Sequence, residues 1–478
     1  MTGTSEASDD ASPRWSELLA DGIPAKLAVL CLGVWLHAAD SMLVATLMPS
    51  AVTDIGGVRY IAWTIVLYQV GSIIAGAAGG LAARRLGLRT AMTGAAAIYA
   101  IGCVLSALTP DMLWMLIGRT LQGLGGGALV ALAIVGVSQL FPERLWTRMI
   151  AVISGVWGAS ALCGPLVGGV FASIGLWRGG FWAFALQAVV LGLAVTWLLR
   201  RSQPHKAADE IAGVPFGRLA VLATAILSVA VAGIGLSLPL AATAVVVGLA
   251  LLALFLRLDR AADNRLLPRA VLEPGTTVGA GLLMVFMLAA GTIAMTAYGA
   301  LLMSVLHDAD PLTAGYMIAV GSVSWTIAAI VGSGARPGLE PALIRLGAGL
   351  IAVGVAGQAI CMPQGVLMLI VPWQVASGAG FGLAWAFVTR RVVAGAPAEE
   401  REIASSAMPT TQLTGYAVGA GLSGLVANAI GFADGVTPAA AEAVAFWIFA
   451  GFLPLVLIGN IAAWRLTRGE MQPQPAAA

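Results

Sequence analysis

Long apolar segments without charge dominate the chain between about residue 27 and residue 464. Each runs for roughly 17 to 30 residues, which as an α-helix crosses the hydrocarbon layer of a bilayer. Transmembrane β-strands would instead alternate apolar and polar positions over about ten residues. The pattern predicts an all-α integral membrane protein with about fourteen spans.

One apolar stretch leaves the number of spans open. Residues 219–256 are predicted to form a two-helix hairpin that turns near Leu238 and Pro239. If this pair lies on the membrane surface instead, the count falls to about twelve. Both counts are even, so the two termini lie on the same side.

Composition supports the membrane assignment and excludes other classes. Hydrophobic residues make up 59% of the chain, charged residues 10%, and the mean hydropathy is +0.93, which places it in the lipid bilayer. A net charge of +2 without a basic cluster disfavours a nucleic-acid partner. The four cysteines lie inside apolar segments without close spacing. We therefore expect no disulfide, metal site or cofactor.

The basic residues predict the orientation. The connections on the side of the termini, together with the termini, carry 22 of the 25 lysine and arginine residues. The opposite side carries only Arg59 and Arg178. By the positive-inside rule both termini are cytoplasmic, and the protein is expected to be a multi-pass component of the cytoplasmic (inner) membrane.

The order of segments suggests two similar halves around a central cavity. This plan is typical of secondary transporters, in which the substrate binds near the bilayer midplane. The predicted divisions are a cytoplasmic tail (1–26), a six-helix half (27–200), a linker with the inserted hairpin (201–277), a second six-helix half (278–466) and a cytoplasmic tail (467–478).

Asp40 and Arg119 are the two charged residues inside the predicted spans. A charge in hydrocarbon costs several kcal/mol, so each indicates a functional site. Asp40 lies about 20 Å into the first span and Arg119 about 10 Å into the fourth, from opposite sides. The depths coincide, so the pair is expected to meet, with Asp40 either coupling transport to protons or binding a cation, or else forming a structural ion pair. His37, three residues before Asp40, is a candidate proton relay.

Three motifs in the first half resemble signatures of the major facilitator superfamily. The segment from Gly79 to Arg89 resembles its cytoplasmic loop signature. Arg119 followed by Gln122-Gly123 resembles its fourth-helix signature, and Gly164 to Gly169 resembles the core of its antiporter signature. The second half matches mainly in layout. The resemblance implies the drug:proton antiporter branch with fourteen helices.

The same resemblance implies conformational gating by residues of two motifs: Gly80, Arg84, Arg85, Gly87, Arg89, Gly164, Pro165, Gly168 and Gly169. The loop arginines are expected to hold the outward-facing state. This chain departs from the family pattern at Ala83, where an acidic residue is usual, and at Ser160, where a glycine is usual.

The expected substrate is a small amphiphile, because the predicted spans of the second half carry no acid that would grip a dication. Candidate cavity residues are polar or aromatic: Trp63, Tyr68, Gln69, Gln122 and Gln187 in the first half, and Tyr298, Trp373, Gln374, Gln412 and Tyr416 in the second.

The predicted function is export of such a compound in exchange for protons, by a chain that acts as a monomer. A uniporter or symporter of a small metabolite or lipid-like molecule on the same fold is the alternative. A membrane enzyme or a sensor is the more distant one, because His37 and Asp40 alone do not make a catalytic constellation.

Overall fold

The computed structural model describes residue 17 and residues 22–199, 213–336, 338–364 and 366–468, except for the side chain of residue 147. The predicted tails and the linker residues 201–212 therefore lie mostly outside the described residues. The described chain is helical and contains no β-strand. Its α-helices are α1 (Ile23–Ile55), α2 (Ile61–Leu86), α3 (Leu88–Ala107), α4 (Met112–Leu140), α5 (Trp146–Ser173), α6 (Trp177–Leu198), α7 (Phe216–Val231), α8 (Leu238–Arg260), α9 (Thr277–Thr292), α10 (Ala294–His307), α11 (Pro311–Ser333), α12 (Glu340–Cys361), α13 (Val371–Gly395), α14 (Arg401–Ala427), α15 (Pro438–Ala450) and α16 (Leu453–Leu466).

The predicted all-α membrane fold is confirmed. Thirteen segments of the described chain are long and apolar enough to span a membrane, and α7 is a shorter apolar helix. Two of the thirteen are interrupted spans: α9 continues into α10 at Ile293, and α15 continues into α16 near Gly451.

The predicted position of the hairpin turn was wrong. The chain turns at residues 232–237, and Leu238 and Pro239 already form the first turn of α8. Proline is well suited to that position, because the first turn of a helix needs no backbone donor there.

The helices pack as two groups, α1–α6 and α9–α16, with the hairpin α7–α8 against α2 and α14. Within the first group α4 packs against α2 and α3, and within the second α13 packs against α11 and α12. The groups contact each other through α5 with α11, α2 with α14, and α1 with α10.

The gap between the groups widens along the helices. We call the end of the bundle where α1 begins and α16 ends the terminal end, and the opposite end the far end. A methyl group added at Gly169 would lie 2.8 Å from the carbonyl oxygen of Pro311, and one at Gly158 would lie 3.5 Å from Thr326. At Gly155, nearer the terminal end, it would meet nothing within 4 Å. Along α5 the contact with α11 is thus closest at Gly169, near the far end, and no atom approaches Gly155 as closely.

Candidate functional site

The two charges inside the bundle form an ion pair. Nη1 of Arg119, on α4, donates to Oδ2 of Asp40, on α1, over 2.8 Å. Both side chains are fully enclosed, with 1% and 0% of their surfaces exposed. Each charge would be very costly without the other, because the protein interior replaces little of the hydration that they lose.

Arg119 has several partners, whereas Asp40 is only half satisfied. Nη1 of Arg119 also donates to Oε1 of Gln122 over 2.7 Å, and its Nε lies 3.4 Å from the carbonyl oxygen of Thr64. The guanidinium lies over the ring of Tyr68, 4.2 Å from the ring centre, a favourable cation–π contact. Oδ1 of Asp40 is buried and accepts no hydrogen bond from the described residues. That oxygen is the position in the cluster that a proton would satisfy.

Tyr68 connects this pair to His37. The Tyr68 hydroxyl donates to the carbonyl oxygen of His37 over 2.8 Å and lies 2.9 Å from Nδ1 of the same residue. The tautomer of His37 decides whether Nδ1 donates to the hydroxyl or accepts from it. The other side of the imidazole contacts Trp157 edge-on, at a ring separation of 5.7 Å. Trp157 is 39% exposed, so this chain of contacts leads from the buried pair to a surface of the bundle.

The glycines of α4 make room for this cluster. A methyl group at Gly126 would lie 2.8 Å from Nδ1 of His37 and 3.2 Å from the hydroxyl of Tyr68. Those at Gly123 and Gly125 would overlap Tyr68 and Tyr99. The absence of side chains lets α2 and α3 approach α4 closely. The motif is thus explained here by packing around the ion pair.

The fifth-helix motif lies between the two groups of helices. A methyl group at Gly164 would lie 2.6 Å from the carbonyl oxygen of Ala39, and one at Gly168 would overlap Thr46, both on α1. The hydroxyl of Thr46 donates to the carbonyl oxygen of Pro165 over 3.1 Å. On the other side of α5, Gly169 faces the start of α11. This segment is therefore in tight contact with both groups at once.

The loop motif lies at the terminal end, between α2 and α3. Gly87 joins the two helices with φ of 79°, a conformation that favours glycine. Arg84 and Arg85 are exposed, Gly80 and Arg89 are partly buried, and Ala83 is buried. The geometry brings none of them to the ion pair.

The remaining predicted cavity residues are not brought together. Oε1 of Gln187 accepts from Trp35 over 3.0 Å, between α1 and α6. Nε1 of Trp63 and Oε1 of Gln69 are buried without hydrogen-bond partners among the described residues. Tyr298 packs against Phe432 at the far end.

In the second group the predicted residues form separate contacts. Gln374 accepts from Gln358 over 2.7 Å. Trp373 donates to Sγ of Cys361 over 3.0 Å, so its indole faces α12. Gln412 donates to Tyr416 over 3.2 Å, within α14. Of the ten candidate cavity residues, Tyr68 and Gln122 alone hydrogen-bond or stack with the charged pair or His37 within the described chain.

Sequence reasoning missed the ion pairs at the terminal end. Glu340, at the start of α12, pairs with Arg390 and Arg391 of α13. Glu400, before α14, accepts from Arg265 over 2.9 Å. The basic residues were visible as orientation signals, but nothing in the linear sequence indicated which acid each would meet.

Known proteins with a similar sequence or fold are consistent with this architecture. The sequence model of the Major Facilitator Superfamily matches residues 30–344. A protein of Mycobacterium tuberculosis named "probable multidrug-efflux transporter" is 30% identical, over 98% of this chain and 99% of its own length.

Solved structures share the fold at low sequence identity. A D-xylose–proton symporter has a TM-score of 0.65 at 15% identity, covering 93% of this chain and 97% of its own. An auto-inhibited peptide transporter of the POT family has a TM-score of 0.64 at 19% identity, covering 96% and 99%. Family and fold are those of membrane transporters. The chain belongs to the major facilitator superfamily.

Proposed function

We propose that this protein is a proton-coupled antiporter that exports small amphiphilic compounds across the cytoplasmic membrane. The name of the mycobacterial relative, which matches along nearly its whole length, supports export of drug-like molecules. The observation that carries proton coupling is the half-satisfied carboxylate of Asp40, paired with Arg119 inside the bundle.

Asp40 is suited to exchange one partner for another. While ionised it is held by Arg119. When water enters from the cleft, the guanidinium is solvated and the carboxyl can bind a proton instead. We infer that His37, which is hydrogen-bonded to Tyr68 and contacts Trp157 with its ring, exchanges the proton with Asp40 through water that enters the cleft. Substrate binding and protonation of Asp40 would then exclude each other, so the substrate is carried outward in one conformational change and the proton inward in the return.

The contact pattern supports alternating access. With both termini in the cytoplasm, as the basic residues predict, the closed far end is extracytoplasmic and the conformation is inward-facing. Arg84 and Arg85 are exposed at the terminal end in this state, and neither forms an ion pair with a described residue of the other group. We infer that they contact it when the terminal end closes. All of the groups in this scheme belong to one chain, so a monomer suffices.

The free energy released by the entry of one proton is sufficient to drive export. Moving a charge through about 100 mV supplies about 2.3 kcal/mol, and a tenfold proton gradient adds about 1.4 kcal/mol. The sum sustains a substrate gradient of several hundredfold.

The test is substrate-induced proton movement in proteoliposomes. Asp40→Asn is expected to abolish it, because the amide preserves shape but binds no proton. The matched control is Asp54→Asn. Asp54 is also on α1, and its carboxylate pairs with Arg178 at the exposed far end. The control variant is expected to retain proton movement. Proton-driven transport that persists in Asp40→Asn would contradict the assignment, and substrate movement without any proton movement in the wild type would favour a uniporter.

A further inference from the structure

Three aromatic side chains form a continuous surface on the second group of helices. The rings of Trp325, on α11, and Phe381, on α13, stack at a centroid distance of 5.1 Å and an interplanar angle of 8°. The ring of Trp385, one turn further along α13, lies 6.3 Å from that of Trp325. We call these three side chains the aromatic wall; none of them was selected from the sequence.

The position of the aromatic wall follows from the contacts of α13. Gly382 packs against the backbone of Trp325 on α11, and Gly380 packs against Gly347 on α12. Phe381 and Trp385 border a narrow crevice with Met284, Val285 and Leu288 of α9. They therefore occupy the sector of α13 between α9 and α11. Because α11 contacts α5 and the continuation of α9 contacts α1, this sector faces the first group of helices.

Trp157 stands at the same depth on the first group. Gly158, its neighbour on α5, approaches Thr326, the neighbour of Trp325 on α11. The two indoles thus flank one crossing point between the groups. Trp157 is 39% exposed and Trp325 is partly exposed, so part of each indole is left uncovered beside the space between the groups. A molecule in this space would have aromatic surface on both sides.

The side chains around this space favour ligands that present a flat ring rather than a localised charge. Asp40 and Arg119, which lie behind His37 and Trp157, are enclosed and neutralise each other. Indole and phenyl faces attract other flat rings through offset stacking, and they attract cations, quaternary ammonium groups included, through their quadrupoles.

We propose that the aromatic wall, Trp325, Phe381 and Trp385, is the substrate-binding surface of the second group, and that it selects flat, fused-ring compounds. This inference rests on the proposed transport function but concerns recognition rather than coupling. Trp157 closes the site from the side of the first group.

The test compares two probes that carry one positive charge each, proflavine with three fused rings and decyltrimethylammonium with none. Binding to the purified full-length protein in nanodiscs is measured at equilibrium, so no transport step is needed. In the Trp325→Leu, Phe381→Leu double variant the Kd of proflavine is expected to rise at least about tenfold, because stacking and cation–π contacts are both lost, whereas that of decyltrimethylammonium, which loses only a cation–π contact, should rise about two- to fivefold. Trp197→Leu, at a side chain that is 84% exposed on α6, is the control and should change neither.

Three outcomes would overturn the proposal: no proflavine binding in the wild type, unchanged proflavine affinity in the double variant, or equal loss of both probes. Phe381→Leu alone, which keeps an apolar side chain of similar volume, provides the second variant if the double variant does not fold; its proflavine Kd should rise severalfold. Failure of the coupling proposal can be told apart from failure of the recognition proposal. If only the coupling proposal fails, Asp40→Asn retains proton-linked transport, and proflavine binding still depends on the aromatic wall.

Discussion

The side-chain amide of Asn428 donates to the backbone carbonyl of Arg59 over 2.9 Å, and so joins the end of α14 to the start of α2. Arg59 returns a bond from its guanidinium to the carbonyl oxygen of Ala433, over 3.1 Å. Asn428 also donates to Gly233, in the turn of the inserted hairpin. The two halves and the hairpin thus meet at one amide at the far end. The chain there forms a π-helical turn, Asn428–Phe432, a feature that is frequent at functional sites.

The first prediction concerns this amide. Asn428→Ala should loosen the far end, because it removes both donor bonds and leaves the carbonyl of the buried Gly233 unsatisfied, at a cost of about 1–3 kcal/mol. The population open at the far end should rise roughly five- to tenfold or more. The measurement is the distance distribution between spin labels at Thr53→Cys on α1 and Ser304→Cys on α10, which lie in the two groups near the far end and border one pocket there, in a background without native cysteines.

The control for that measurement is Asn460→Ala. Its amide donates to Val456, within α16, over 2.9 Å, so it crosses no boundary between helices. Distance distributions that coincide for the two variants would show that the Asn428 amide does not stabilise the closed far end.

The second prediction concerns the stability of the ion pair. Arg119→Gln should destabilise the protein by about 3–5 kcal/mol, because Asp40 is left as an uncompensated buried charge. The double variant with Asp40→Asn should recover most of that loss, because the remaining amides can bond to each other. Thermal unfolding in detergent measures both effects. The control is Arg178→Gln, at the exposed pair, which should leave the unfolding temperature unchanged. A double variant as unstable as the single one would contradict this account.

The third prediction concerns the glycine that faces His37. Gly126→Ala should destabilise the protein by about 1–3 kcal/mol through overpacking, because its methyl group would lie 2.8 Å from Nδ1 of His37. It should also slow proton-linked transport, since the bond between His37 and Tyr68 must shift. Gly94→Ala, in α3, is the matched control: its methyl group meets nothing within 4 Å, so stability and transport should be preserved. If the two variants had the same stability and the same transport rate, the added methyl group would not disturb His37, and this account would be wrong.

The fourth prediction concerns pH and the start of α11. Asp310 accepts from the backbone amides of Leu312 and Thr313, over 2.9 and 3.1 Å. The hydrogen bond from the Thr313 hydroxyl, together with these amides, holds the pKa of Asp310 below its ordinary value of 3.8. A depressed native pKa means that the stabilisation is present above the ordinary carboxyl pKa and is lost as the pH falls through the native one.

Asp310→Ala should therefore cost about 1 kcal/mol of local stability near neutral pH, and the difference from wild type should vanish in strong acid. Hydrogen exchange at Leu312 and Thr313 as a function of pH measures it. Asp434→Ala, in the far-end loop after α14, caps no helix and should leave these amides unchanged. Faster exchange at neutral pH in the control variant too would point to a general loosening of the far end rather than to the cap.

Much of the architecture could be predicted because its causes are local. A helix that crosses hydrocarbon must satisfy its own backbone, so apolar length alone reveals it. The hairpin turn was misplaced because Leu238 and Pro239 resemble an interruption, whereas proline also starts helices. The depth of Asp40 and Arg119 was calculable from helical rise, but the insertion of Tyr68 between Arg119 and His37 was not, because it depends on the distance between α2 and α4.

The sequence by itself determined the membrane class, the order of the apolar segments, the family motifs and the two charges in the bundle. Only the tertiary structure decided that Gly126 makes room for His37, that Trp373 faces α12, and that Trp325, Phe381 and Trp385 share one surface. The reason is that lipid is as apolar as a helix interface. An apolar or aromatic side chain is therefore equally acceptable towards lipid, a neighbouring helix or the cleft, and its direction is set by which helix packs beside it.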